Sequence, residues 1–253
     1  MNDMALSDIH NNATGQLYTS DGKQANLLYD IQGNAVSQSA VTQRFRSFTI
    51  LGDSYSTFKG YSFSPYYPDS VTGGNDVSKV EHTWWKLLAQ ETGMKIAQNN
   101  SLSGSAICYD SWGSGNTDNK PNSFVTRCRN LTDADIIFIF GGTNDSWVGV
   151  SIGEYKYIGW EEADFVNFRP SLAYVCHHIK GWHPNAQIVF VKNSGFTADI
   201  VSSIDTICAY YGIPVLNLDV TVGDNSEDKN GGHPNQKGMI KIKDQIIAFL
   251  ETL

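Results

Sequence analysis

Ser47–Ser56 reads SFTILGDSYS. Within it a run of apolar and β-branched residues, Phe48-Thr49-Ile50-Leu51, stops abruptly at Gly52-Asp53-Ser54. Such a run, bounded by turn formers, describes a strand buried on both faces. In an open parallel sheet, ligands bind at the carboxyl ends of such strands. Gly, Asp and Ser are also ordinary turn residues, so the stretch acquires its meaning from its surroundings.

Downstream the same alternation repeats. Further apolar strands are expected at Lys95–Gln98, Asp135–Phe140, Gln187–Lys192 and Pro214–Leu218. Amphipathic helices are expected between and after them, over His82–Thr92, Pro170–Lys180, Ala198–Tyr211 and Lys237–Leu253. Gly93 and Gly212 follow two of these as C-caps. Apolar residues recur at helical spacing, as in Leu172, Val175, Cys176 and Ile179. Five apolar strands interleaved with helices predict an α/β fold: a five-stranded parallel sheet covered on both faces. Residues 1–46 are polar and form an N-terminal extension. In it, Gln16–Thr19 and Asn26–Tyr29 are expected to make a β-hairpin around Asp21-Gly22. Two long connections, Thr57–Val80 and Ile107–Thr132, follow strand ends and are rich in aromatics, which suits ordered walls over one edge of the sheet.

Composition narrows the function. With 253 residues the chain can bury a full core, and its net charge of -8 argues against a nucleic-acid partner, since phosphate binding needs a basic face. No apolar run is long enough for a membrane span. The opening MNDMALSDIH lacks a basic and apolar leader pattern, so no signal peptide is read there. A removed leader would favour a secreted or periplasmic location. Cys108, Cys128, Cys176 and Cys208 show no metal-type spacing. Cys176 and Cys208 fit buried thiols, whereas Cys108 and Cys128 flank a Gly-, Asn- and Ser-rich loop and can pair in an exported protein. No metal or cofactor is expected.

Four polar clusters fall at strand ends or before the last helix: Gly52-Asp53-Ser54, Asn99–Gly104, Gly141–Asp145 and Gly231–Asn235. A doubly wound sheet brings these to one edge. A serine is a weak nucleophile until a base accepts its proton, so Ser54 calls for His233. An oxyanion formed on attack needs fixed donors. The N–H groups of Ser54 and Gly104 and the side-chain amide of Asn144 can supply them.

These residues carry a resemblance. Ser54 in Gly-Asp-Ser, Gly104 in Ser-Gly-Ser, Asn144 in Gly-Thr-Asn-Asp and His233 in His-Pro stand in the order of the four blocks of the SGNH hydrolases, the GDSL-type esterase and lipase family. The resemblance implies a three-layer, flavodoxin-like α/β/α fold over residues 47–253, with metal-independent ester hydrolysis through an acyl-serine. One position departs from the pattern. The family usually has an aspartate three residues before the histidine, to orient the imidazole, and here that residue is Asn230. Three orienters stay open: Asp228, Asn230, or a backbone carbonyl. Asp228 is the leading choice.

Asp53 and Asp145 read as turn and loop stabilisers, and Trp84-Trp85 as core. Trp112 and Trp147, each following a block, can serve as substrate wall or as packing. The nucleophile elbow Gly-x-Ser-x-Gly is absent, which sets aside an α/β-hydrolase. The expected substrate is a small-molecule or polysaccharide ester, above all a carbohydrate O-acetyl group, because Asn-rich and aromatic loops suit sugar hydroxyls and faces. The competing readings are a lipid or thioester hydrolase on the same machinery and a catalytically silent carbohydrate-binding protein.

Overall fold

The computed structural model describes residues 44–68, 74–110, 113, 115, 117, 119–220 and 226–253, and the backbone of four short strands before them. The chain divides into two compact units, Met1–Arg44 and Phe45–Leu253. In the first, β1 (Ile9–Asn11) pairs antiparallel with β2 (Leu17–Thr19), and β3 (Leu27–Tyr29) with β4 (Ala35–Ser37). The expected hairpin across Asp21-Gly22 is therefore corrected. Both of its strands exist, but each pairs with its outer neighbour, β2 with β1 and β3 with β4. Asp21-Gly22 itself lies outside the described residues.

The second unit is built on β5 (Ser47–Gly52), β6 (Lys95–Ser101), β7 (Ile136–Phe140), β8 (Gln187–Lys192) and β9 (Val215–Asn217). All pair in parallel, in the order β6-β5-β7-β8-β9. The chain leaves β5 for one side of it and returns to the other. The carboxyl ends of β5 and β7 therefore flank a topological switch point, where α/β sheets open a crevice.

The helices are α1 (Trp84–Thr92), α2 (Phe124–Arg127), α3 (Thr143–Val148), α4 (Phe168–Trp182), α5 (Ala198–Tyr211) and α6 (Gln236–Leu250). α1 packs on α6, while α4 packs on both α2 and α5. The sequence of β7, IIFIF, shows why the layers separate this way. Successive side chains point to opposite faces, so Ile137 and Ile139 join the cluster of Leu172, Val175, Ile204 and Ile207 from α4 and α5. Phe138 and Phe140 meet Trp84 of α1 instead, at centroid distances of 5.9 and 5.7 Å.

Element ends shift where local chemistry overrides periodicity. α4 begins two residues before Pro170, because a proline in the first turn lacks only an N–H that has no helical partner there. β6 runs through Asn99-Asn100-Ser101, which reads as loop, because its parallel register with β5 continues to Ser101 opposite Gly52. The Ile107–Thr132 connection contains α2 and two 3-10 turns. A two-residue ribbon, β10 (Lys229–Asn230) against β11 (His233–Pro234), precedes α6. All four cysteines are buried free thiols, so the pairing considered for Cys108 and Cys128 is corrected. Each of those two sulfurs instead donates to a nearby carbonyl, that of Asp110 or of Val125. No described helix is long and apolar enough to cross a membrane, and no metal-binding cluster occurs among the described residues.

Phe138 is fully buried between β5 and α1. Phe138→Ala should lower stability by about 3–5 kcal/mol, read as a shifted urea midpoint with unchanged slope.

Candidate active site

The serine turn is built by close approach. A Cβ on Gly52 would stand 2.5 Å from Ser101 Oγ, so the last position of β5 needs glycine. The Asp53 N–H donates to the carbonyl of Phe140 (3.2 Å), pinning this end of β5 to β7. The Asp53 carboxylate accepts from the Tyr55 N–H (3.0 Å) and starts a 3-10 turn over Ser54–Ser56. Ser54 is thus the first residue of a helical turn, where a main-chain N–H has no partner inside the turn. Among the described residues, no acceptor takes the Ser54 N–H.

His233 reaches this serine from the β10–β11 ribbon. Its Nε2 lies 2.8 Å from Ser54 Oγ, and its Nδ1 lies 3.0 Å from the carbonyl oxygen of Gly231. A carbonyl only accepts, so in the neutral ring Nδ1 carries the hydrogen and Nε2 presents its lone pair to the serine hydroxyl. Two tyrosines clamp the backbone around the histidine. The Tyr55 hydroxyl donates to the Gly232 carbonyl (2.8 Å), and the Tyr67 hydroxyl to that of Pro234 (2.7 Å). Asn75 Nδ2 also donates to Pro234 (3.0 Å). The imidazole itself is lined by rings: Tyr66 is stacked on it at 3.5 Å, and Tyr55, Tyr67 and Trp147 lie within 6.2 Å.

The leading sequence choice for the orienter, Asp228, makes another contact among the described residues. Asp228 is buried, and its Oδ2 accepts from Lys241 Nζ at 3.0 Å; among the described residues no hydrogen bond joins it to the imidazole. The cause is the first turn of α6, which packs on the Asp228 backbone. The Asn235 N–H donates to the Asp228 carbonyl (2.9 Å), and a Cβ on Gly238 would come 2.3 Å from it. Asn230, opposite His233 in the ribbon, donates through Nδ2 to the Gly74 carbonyl and accepts from Asn235 Nδ2 (3.2 Å). Its amide ties loops together. Among the described residues, the group facing Nδ1 is the backbone carbonyl of Gly231.

In the loop after β6, Gly104 adopts φ +76° with open space where a side chain would stand. Its glycine is needed for the left-handed backbone. No described acceptor takes the Gly104 N–H either. Asn144, at the start of α3, donates one of its two amide hydrogens to the Ser105 carbonyl (2.9 Å), which fixes the amide beside this loop. Trp147 is half-exposed and edge-on to His233. Trp112 lies outside the described residues.

Three buried charges frame the loops, and sequence reasoning gave only two of them a part. Asp145 accepts from the N–H groups of Ile107 (2.9 Å) and Cys108 (3.3 Å), bending the chain just after Gly104. Arg127 spans several strand ends: Nη2 donates to the carbonyl of Gly52 (3.0 Å) and to Ser105 Oγ (2.7 Å), Nη1 to the carbonyl of Asn100 and Nε to that of Asn122 (2.7 Å). Burial lowers its pKa to about 10. Burial also raises the carboxyls of Asp53 and Asp145 to about 6, against the pull of the N–H groups they accept from. The only trace of Arg127 in the sequence is a charged residue within the largely apolar run Phe124-Val125-Thr126-Arg127-Cys128. The trace of Tyr66 and Tyr67 is the aromatic richness of the Thr57–Val80 connection.

A serine hydroxyl on an imidazole, beside unfilled N–H donors at a sheet's switch point, defines the class of serine hydrolases on a flavodoxin-like sheet. Residues 46–250 match the family model described as GDSL-like lipase/acylhydrolase. A GDSL-like lipase from Bacteroides ovatus is 38% identical over 83% of this chain and 99% of its own, with a TM-score of 0.74. One from Bacteroides uniformis is 37% identical over 85% and 100%, also at 0.74. A carbohydrate esterase shares the fold at 14% identity and a TM-score of 0.57, over 94% of this chain and 80% of that one. No curated protein matches this chain. The chain belongs to the GDSL-like lipase/acylhydrolase family, the SGNH hydrolases, and is an ester hydrolase.

The buried carboxyl of Asp53 makes a prediction about pH. Its pKa is 3.8 ordinarily and about 6 in the fold, so the folded state holds this proton longer. The stability it contributes is full below about pH 4 and is lost as pH rises through 6. Asp53→Asn keeps an acceptor for Tyr55 and removes the ionisation. Relative to the wild type, the variant should gain about 2–3 kcal/mol between pH 4 and 7, measured by urea unfolding at both pH values.

Proposed function

We propose that the protein removes small acyl groups, above all O-acetyl groups on carbohydrate, through an acyl-serine intermediate. The observation that carries the reading is the 2.8 Å contact of Ser54 Oγ with His233 Nε2, set beside the unfilled N–H groups of Ser54 and Gly104. Ser54 Oγ attacks the ester carbonyl while its proton passes to Nε2. The oxyanion is received by the two N–H groups and the second amide hydrogen of Asn144. Collapse expels the sugar alkoxide, which takes the proton from Nε2. Water then attacks the acetyl-serine by the same route, with His233 again the base. The Gly231 carbonyl holds the tautomer this sequence needs.

The carbohydrate part rests on separate support. A cleft of about 650 Å³ runs along the outer edge of β6, lined by Gln98, Asn99, Asn100 and Asn122 and by the exposed rings of Tyr61 and Phe63. Amides and open aromatic faces suit sugar hydroxyls and ring faces. The loop that carries Tyr61 and Phe63 is tied to the Gly104 turn, where the Ser103 N–H donates to the Ser64 carbonyl (2.9 Å). The carbohydrate esterase of the same fold is described as having an active site with both catalytic and non-catalytic binding functions. A silent binder would have no use for a serine aligned on a histidine base.

Assays on nitrophenyl esters of rising chain length, with acetylated xylan and pectin, test the reading. Acetyl esters should be the best substrates, and Ser54→Ala should abolish turnover with the fold intact; preference for long chains would replace this reading with a lipid hydrolase. Asn144→Ala should lower kcat by about 10²–10³ with little change in KM, the typical cost of one oxyanion donor. A loss confined to KM would make Asn144 a substrate-binding residue instead.

A further inference from the structure

The Tyr66 ring lies almost flat on the His233 imidazole, with centroids 3.5 Å apart and planes 8° from parallel. Two neutral rings prefer an offset or edge-on arrangement to a centred sandwich. A cation over a ring face is drawn to that centre by the ring quadrupole. The geometry therefore suits imidazolium better than imidazole. The stack is also wired to the nucleophile. The Tyr66 N–H donates to Thr57 Oγ1 (2.8 Å), and Thr57 Oγ1 donates to the Ser54 carbonyl (2.9 Å). The turn that presents the serine thus also sets the height of the ring over its base. Tyr67, the next residue, clamps the backbone beside that base.

We propose that Tyr66 is a positioning residue of the Ser54–His233 pair, holding the imidazole plane and stabilising the imidazolium formed when Nε2 takes the serine proton. The proposal rests on the catalytic reading of that pair and adds a ring face that answers the charge. Other rings meet the imidazole edge-on or tilted: Tyr55, Tyr67 and Trp147. The charged groups on the surrounding elements are Lys229, with Nζ over the Tyr55 ring at 5.4 Å, and Asp228 paired with Lys241 on and behind β10. Asp76 accepts from the Gln236 N–H at the start of α6, and Asp53, Asp145 and Arg127 lie buried beneath the strand ends. Among these described groups, only Tyr66 lies face-on to the imidazole.

The test is an NMR titration of histidine-labelled protein, with the His233 signal assigned by its loss in His233→Gln, combined with nitrophenyl acetate kinetics. Tyr66→Phe keeps the ring and should leave the His233 pKa and kcat close to wild type. Tyr66→Leu should lower that pKa by about 0.5–1.5 units and kcat by about 3–30-fold, with KM changed less than twofold. Phenylalanines with increasing ring fluorination at position 66 keep size while draining the ring face, so the pKa should fall stepwise along the series. That series serves even if Tyr66→Leu does not fold. A His233 pKa indifferent to ring fluorination overturns the proposal, as does an unchanged value in a folded Tyr66→Leu. The titration reads the resting protein, so failure of the esterase assay, which sinks the catalytic reading, is seen separately from failure of the stack.

Discussion

The guanidinium of Arg127 is the point on which the site depends. It extends from α2 under the strand ends and satisfies the carbonyls of Gly52, Asn100 and Asn122 together with Ser105 Oγ. Those groups belong to the end of β5, the end of β6, the chain before α2 and the loop beyond Gly104. Buried carbonyls without donors are costly, and separate loops seldom supply donors in the right places. One planar, five-donor group solves the problem for all of them at once. Burial taxes its charge, as its pKa of about 10 records, and the Asp53 carboxyl nearby offsets part of that tax.

Around this anchor the molecule divides its labour between polar and aromatic devices. Buried carboxylates shape the serine and glycine loops through main-chain N–H groups: Asp53 turns the chain at Ser54, and Asp145 turns it after Gly104. Tyrosine hydroxyls hold the carbonyls on either side of His233. The loops that carry the Ser54 and Gly104 N–H groups and the histidine lone pair are thereby fixed without the mobile ends of long side chains. Preorganised donors of this kind need no rearrangement as charge develops.

How much of this was legible before folding varies by residue. Ser54, Gly104, Asn144 and His233 stood out because each sits where an apolar strand stops or a helix begins, and their residue types match the chemistry of acyl transfer. The sheet was legible because residues like Ile136–Phe140 admit only one environment, burial on both faces. The orienter of His233 was not. Asp228 lay near in sequence and was chemically suited, but the first turn of α6 packs onto its backbone, and its carboxylate is engaged by Lys241. Spacing along a chain does not encode which way a two-residue ribbon turns its side chains.

The sequence by itself determined the layered α/β architecture, the five sheet strands and four longer helices of the main unit to within a few residues, and the four polar blocks expected at the sheet's edge. Periodicity and turn chemistry are local, and a single chain carries them in full. Only the tertiary structure decided what surrounds the histidine: a carbonyl two residues before it, a tyrosine from residues 57–68 stacked on its face, and a buried arginine linking strand ends. The tyrosine and the histidine it covers stand 167 positions apart. Such contacts depend on loop paths set by the packing of everything else, so no local pattern announces them.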